Sequence, residues 1–431
     1  MRQLGQREAK QAIAHQDNHG LMQISNVATI KGVVSAEKLL RAIHCAYQRH
    51  PLLRARIQFQ QRTWHFIYDV MFDASQHRYQ RKQCSSVEQE MADEVQRPLD
   101  QTQYLWRTRL VDIADSDESY LVLTTHHSMS DGSGCFVLIN DIVNYYNTAD
   151  DQGGVESLPE RACLEDSCRP LDHQADGVDR REYFKDMVWP VAAAAPLAQR
   201  QPLIKESVFT KDAMTALVSL SRAAGVTLNA VISALLFRTT FQLAGAPAVL
   251  KAIVPKNMRP EMTNGVDYRE LGAFFETAYI YADKRDSHDL LQLSKALRRQ
   301  YQTMANSTEA LSYAELADDL AQLGNDASTV FDQHLIISNL GRLSTLYQQG
   351  ELSLLDYRFN GAIHSANYFL LCGVVTVNDA LICSFNFTQP LVHEHTASRF
   401  VEQFRASVQQ LVADYYRDDH ARDTEAVGQS A

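Results

Sequence analysis

"LVLTTHHSMSDGSG", residues 121–134, ends an apolar run on two adjacent ionisable rings. Leu121, Val122 and Leu123 have the composition of a buried strand, in which neighbouring side chains point to opposite faces. His126 and His127 therefore cannot address the same cavity if the strand runs through them, and the pair makes sense only if the two rings differ in role. Asp131 lies four residues after His127, and Gly132 follows it. Gly132 permits a backbone turn that a Cβ would forbid. A helix is expected to start near Ser133, and a helix N-terminus beside an imidazole favours its neutral, basic form. With an unperturbed pKa of about 6.5, such a ring suits general-base work at neutral pH. Metal ligation is the competing use, but the HxxxD residues straddle a strand end and a turn, and no third ligand lies nearby in sequence. The plainest reading, two buried and hydrogen-bonded rings, suits a lone histidine better than this set with its glycine.

The surrounding chain has 431 residues, 45% hydrophobic and 22% charged, with a formal net charge of −11. That is a globular composition, and the length suggests two to three domains. No dense basic stripe occurs, so no nucleic-acid partner is expected. The seven cysteines are odd in number and show no CxxC spacing. A disulfide framework and a structural zinc are disfavoured, and a reducing, cytoplasmic setting is expected. The opening "MRQLGQREAKQAIAHQ" has no apolar core and does not read as a secretory signal. No stretch of about 20 apolar residues occurs, so no membrane span is expected.

Periodicity sorts the rest into two α/β halves. "SAEKLLRAIHCAYQRHP" (35–51) reads as an amphipathic helix with Ser35 as N-cap and Pro51 ending the run. "LLRARIQFQ" and "TWHFIYDV" read as a hairpin, "WRTRLVDIADSDESYLVLTTHH" as two more strands, and "CFVLINDIVNYYN" as a helix. A polar, Gly- and Pro-containing stretch from Thr148 to about Lys205 reads as a linker, with a short helix expected in "DRREYFKDMVWPVAAAAPL". The second half alternates helices and strands, closing on the helix "HTASRFVEQFRASVQQLVADYY" before about a dozen frayed residues. Neither GxGxxG nor GxxxxGK[ST] occurs, so a doubly wound nucleotide-binding fold is disfavoured.

HHSMSDG resembles the HHxxxDG signature of the coenzyme A-dependent acyltransferase superfamily. That superfamily includes nonribosomal-peptide condensation domains, plant BAHD acyltransferases, wax ester synthases and polyketide-associated acyltransferases. Further likenesses fall in order along nearly the whole chain: "RHPLLRARI" (49–57), "VPKNMRPE" (254–261), "LGAFF" (271–275) and "ISNLGRL" (337–343). The last resembles the SNLG element of the polyketide-associated and alcohol acetyltransferase branch, and "MRQLGQREAKQ" resembles that branch's R-x-L-G-x-x-E opening. The DFGWG element of BAHD enzymes is absent, with "FNFTQP" (385–390) at the comparable place.

The resemblance implies two chloramphenicol-acetyltransferase-like halves, 1–175 and 176–431, forming a V-shaped pseudo-dimer around a central tunnel. It implies His127 as general base in transferring an acyl group from a thioester, on coenzyme A or an acyl-carrier protein, to an alcohol acceptor. No cofactor or metal is implied, because the thioester is a substrate, and a free-standing monomeric enzyme of natural-product or lipid biosynthesis is expected. His126, Asp131 and Gly132 would support the catalytic loop, Gly132 by leaving room at the tunnel. Asp131 would pair with an arginine, for which Arg107 and Arg109 on the preceding strand are the candidates. Ser338, Asn339 and Gly341 would face the tunnel opposite His127, or form an ordinary strand-end turn. Arg259 would be structural or help dock a carrier protein, and Cys135 reads as the buried face of the next helix rather than a nucleophile. Amide formation, a non-catalytic carrier-docking module and a metal-dependent hydrolase are the alternatives.

Overall fold

In the computed structural model, residues 1–80, 86–113, 116–148, 154–168, 186–263, 269–304, 329–331, 333–344 and 350–428 are described. In chain order the elements are β1 (Arg2–Gln3), α1 (Gln6–Asp17), β2 (Gln23–Lys31), α2 (Ala36–Arg49), β3 (Arg56–Gln60), β4 (Thr63–Ile67), β5 (His77–Gln80), α3 (Val87–Val95), β6 (Trp106–Asp112), β7 (Glu118–His126), α4 (Gly132–Asn147) and α5 (Leu164–Ser167). They continue with β8 (Gln201–Phe209), α6 (Lys211–Ala223), α7 (Leu228–Phe241), β9 (Val249–Asn257), β10 (Phe275–Asp283), α8 (Leu290–Met304), β11 (Gln333–Arg342), β12 (Ser353–Gly361), β13 (Tyr368–Val377), β14 (Ala380–Gln389) and α9 (Glu394–Gly428).

Local chemistry accounts for many of these. Ser35 Oγ accepts a hydrogen bond from Lys38 N at the start of α2, as expected of an N-cap, and Leu39, Ala42, Ile43 and Ala46 form its buried stripe. β3 and β4 form the expected hairpin, turning through Gln61 and Arg62, both at positive φ. All ten residues of β13 are buried, the mark of a central strand covered on both faces.

The mixed α/β class is the one expected. Five strands form a sheet in the order β12-β2-β7-β6-β5, and six form another, β10-β9-β11-β13-β14-β8. A small β1-β4-β3 sheet sits beside the first. One apolar core packs α1, α2 and α4 with the five-stranded sheet, and a second packs α7, α8 and α9 with the six-stranded sheet. The two sheets are tied at β12: Arg358 Nε donates to Glu206 of β8 at 2.7 Å, and Asn360 Nδ2 donates to Ser384 Oγ of β14 at 2.8 Å.

Several elements differ from the sequence reading. β12 pairs antiparallel with β2, so the five-stranded sheet takes an edge strand from residues 353–361. Such pairing is set by partners over 300 residues apart and has no local signature. Residues 186–196 of the expected short helix are irregular, as suits the two prolines there, and 179–185 lie outside the described residues. α9 continues to Gly428, because no proline or glycine interrupts the chain from Glu394 to that point. Among the described residues, no single helix is long and apolar enough to cross a membrane.

The cores enclose several histidines. Burial holds His77, His334 and His364 down to about 4. It lowers His15 and His127 as well, and puts His126 well below 6.5. An unfolded chain binds protons at these rings before the folded one does, so their contribution is intact above about 6.5 and is lost as pH falls towards the folded values. Glu206, pushed up to about 7 by burial, and Glu8, also raised, act in the opposite sense, but they are two against six. The melting temperature is therefore expected to fall steadily between pH 6.5 and about 4. Calorimetry across that range checks this, and a flat profile would mean that the rings are solvated.

Candidate active site

The register of β7 against β2 holds through His126, which pairs with Gln23, and the chain then leaves the sheet. The two rings part as alternation requires. His126 is fully buried, its Nδ1 accepts from Ser128 N at 3.1 Å, and its ring lies 4.3 Å from that of His15. His127 is half-buried, with its backbone N–H fixed on Met22 O at 2.9 Å. Its Nδ1 lies 3.0 Å from Ser130 O. A carbonyl can only accept, so the proton is assigned to Nδ1 and the lone pair stays on Nε2. Burial lowers the His127 pKa below its ordinary 6.5, opposed by the Ser130 carbonyl and Asp131, so the ring is neutral at neutral pH. It stacks on Phe275 of β10 at 4.5 Å with an interplanar angle of 27°.

Asp131 is the N-cap of α4, with Oδ1 accepting from Gly134 N at 2.8 Å. Its partner is neither Arg107 nor Arg109. Those arginines do share a face of β6, but α3 covers that face: Arg107 pairs with Glu94 at 2.6 Å and Arg109 with Glu90. Asp131 Oδ2 instead accepts from Arg259 Nη1 at 2.6 Å, and both side chains are buried. Arg259 Nη2 also donates to Glu270 O at 3.1 Å, and the guanidinium lies 5.0 Å from the centre of the Phe274 ring. The MRP and HHxxxDG segments, both legible as motifs, are thus two ends of one contact.

Leu340 of β11 fills the space beside Gly132, where a Cβ would come within 2.7 Å of the leucine Cδ2. Ile336 packs on the cluster of Leu21, Met22 and Tyr368. Ser338, between Ile336 and Leu340 in the strand alternation, shares their face towards the N-terminal elements. Asn339 faces away: its Nδ2 donates to Asn229 Oδ1 of α7 at 3.2 Å, and its Oδ1 accepts from Gly341 N at 2.8 Å. The structure therefore does not bring Asn339 to His127. Gly341, at φ 70°, sits in a bulge where register shifts, with nothing within 4 Å of a would-be Cβ, so its role there is conformational. Cys135 is fully buried against Thr125 and Ser130, and burial pushes its thiol up to about 11, so no thiolate is available.

The sequence reading missed the support from α1. Arg2 grips Glu8 through two bonds, of 2.8 and 2.7 Å, and Gly5 N donates to Glu8 Oε2 at 2.9 Å. Ser128 Oγ in turn donates to Glu8 O at 2.7 Å, fastening the histidine loop to the first turn of α1. The R-x-L-G-x-x-E opening carried this signal, with the motif residues as its contacts. Among the described residues no three His, Cys, Asp or Glu side chains are grouped to hold a metal. A cavity of about 500 Å³ opens among Tyr47, Phe72, His77 and Trp106, and no residue of the histidine loop lines it.

Two mixed sheets in contact through β12, with a neutral histidine on a loop pinned between them, define a two-lobed α/β fold of the condensation and chloramphenicol-acetyltransferase type. The profile of the condensation domain matches residues 12–420, and the chain belongs to that family. Polyketide synthase associated protein 5 from Mycobacterium tuberculosis shares the fold, with a TM-score of 0.67 and 18% identity, over 96% of this chain and 98% of that one. The trichothecene 15-O-acetyltransferase from Fusarium sporotrichioides does so with a TM-score of 0.71 and 11% identity, over 95% and 94%. In sequence, the phthiocerol/phthiodiolone dimycocerosyl transferase of Mycobacterium leprae is 22% identical over 284 residues. That alignment covers 62% of this chain, which thus spans 65% of the length of that relative.

The Asp131–Arg259 contact can be weighed directly. Arg259→Met leaves the buried carboxylate unpaired and is expected to destabilise by about 3–5 kcal/mol. Asp131→Asn keeps a good N-cap, so a double-mutant cycle with Arg259→Met isolates the ion pair and should couple by more than about 1 kcal/mol. The cycle of Asp131→Asn with Arg107→Met should instead be additive within about 0.5 kcal/mol, both read by urea unfolding.

Proposed function

We propose that the protein is an acyltransferase that moves an acyl group from a thioester, carried by coenzyme A or an acyl-carrier protein, to an alcohol, giving an ester. The observation that carries this reading is the His127 geometry: a neutral ring whose Nδ1–H is taken by the Ser130 carbonyl, leaving Nε2 basic. In the proposed step Nε2 accepts the hydroxyl proton as the alcohol oxygen attacks the thioester carbonyl. The tetrahedral oxyanion then collapses, the C–S bond breaks, and the leaving thiolate takes the proton back from the imidazolium. No acyl-enzyme is needed, in keeping with the inert thiol of Cys135. His126 and Asp131 hold the loop, and the two substrates meet at His127 through a tunnel between an N-terminal half, 1–175, and a C-terminal half, 176–431. No cofactor is required, and a cytoplasmic monomer fits the reading.

Relatives named as a dimycocerosyl transferase and an O-acetyltransferase support transfer to oxygen over amide formation. The retained, ordered His127 favours catalysis over a purely carrier-docking role.

Purified protein incubated with acyl-coenzyme A and acyl-carrier thioesters plus mixed alcohols and amines should yield an ester by mass spectrometry. His127→Ala should lower kcat by about 10²–10⁴-fold with an unchanged thermal melt. Wild-type turnover in that variant would sink the general-base role. Because burial holds the His127 pKa below 6.5, kcat/KM should still be on its plateau at pH 7 and fall only as pH drops below that value.

A further inference from the structure

Phe275, the first residue of β10, is engaged by two groups from the N-terminal part of the chain. The imidazole of His127 stacks on it at 4.5 Å, and the guanidinium of Arg7, from the first turn of α1, lies 5.2 Å from its ring centre. Arg7 is itself fixed at both ends. Its guanidinium pairs with Glu276, the neighbour of Phe275, and its backbone N–H donates to Glu165 at 2.6 Å. The arginine and the ring are therefore locked to one strand, and the histidine rests against what they hold.

We infer that Phe275 and Arg7 are positioning residues for the His127 base: the ring sets the plane of the imidazole, and the Arg7–Glu276 pair fixes the ring and the local charge. The inference rests on the base assigned above. A cation beside an aromatic face is attracted to its quadrupole, and stacked rings gain beyond simple burial. Together they restrict the imidazole to the orientation in which Nδ1–H meets Ser130 O. The charged and titratable groups around His127 are Asp131 and His126 on its own loop and Arg7 on α1; Glu276 on β10 and Glu165 on α5 act through Arg7, and Arg259 acts through Asp131. Arg7 acts to disfavour the imidazolium, while Asp131 favours it. Glu276 tempers the arginine, so the pair sets charge at His127 in two separable directions.

That separability makes the test. ¹⁵N-histidine NMR of the full-length protein reads the tautomer and titration of His127 without any turnover. Arg7→Met should move the His127 titration to higher pH, and Glu276→Gln, which removes one of the two carboxylates beside Arg7, should move it to lower pH. Shifts of about 0.3–1 pH unit are expected for partly screened neighbours, and the acid limb of kcat/KM should follow the same signs. Phe275→Leu should mix the Nδ1–H and Nε2–H tautomers and lower kcat about three- to tenfold with little change in KM. Opposite shifts in the two charge variants and a mixed tautomer in Phe275→Leu support the inference. Unchanged His127 titration and tautomer in folded Glu276→Gln and Phe275→Leu overturn it, even should Arg7→Met fail to fold. If the NMR changes occur but His127→Ala retains turnover, the positioning stands and the base role falls.

Discussion

The two oxygens of Asp131 are used in different directions. Oδ1 accepts the Gly134 N–H and starts α4, while Oδ2 accepts Arg259 and so reaches the segment that follows β9. The first contact sets the turn after β7, and with it the place of the Ser130 carbonyl. That carbonyl decides which nitrogen of His127 carries the proton. The second contact joins the loop to the elements that also carry Phe274 and Phe275. Burying such a pair costs several kcal/mol of desolvation, so its value lies less in net stability than in the penalty for separating the partners.

The adjacent histidines show how alternation divides labour. His126 is sealed beside His15, with Nδ1 accepting from Ser128, and holds the loop as a neutral spacer. His127, one residue on, leaves the strand and keeps one nitrogen unengaged. Both rings are depressed by burial, but only one is half-open to react. The two could not exchange roles without flipping the strand register.

What the sequence made legible was local. The strand ending at the histidines, the helix after Gly132, the 56–67 hairpin and the Ser35 cap all rest on contacts within a few residues. The order of motifs along the chain was legible too, and with it the family. The pairing of distant elements was not. Glu90 and Glu94 of α3, a segment that the sequence reading did not single out, are the buried partners of Arg109 and Arg107. Arg259 was visible as part of a motif, but nothing near it in sequence points to Asp131. Asn339 sits in a motif beside Ser338, and strand alternation alone sends it to α7 instead. Phe275 was visible as the last residue of the LGAFF segment, but nothing near it in sequence points to His127.

The edge strand β12 has a consequence for how the chain comes into being. Strand β2, at residues 23–31, is hydrogen-bonded on one side by β7 and on the other by residues 353–361. On a ribosome, β2 must wait for more than 300 further residues before its open side is covered. Until then it presents an unpaired row of backbone donors and acceptors, the kind of edge that recruits foreign strands. A gene split between the lobes would make that condition permanent. The late strand thus acts as a seal, making the soundness of the first lobe depend on completion of the second.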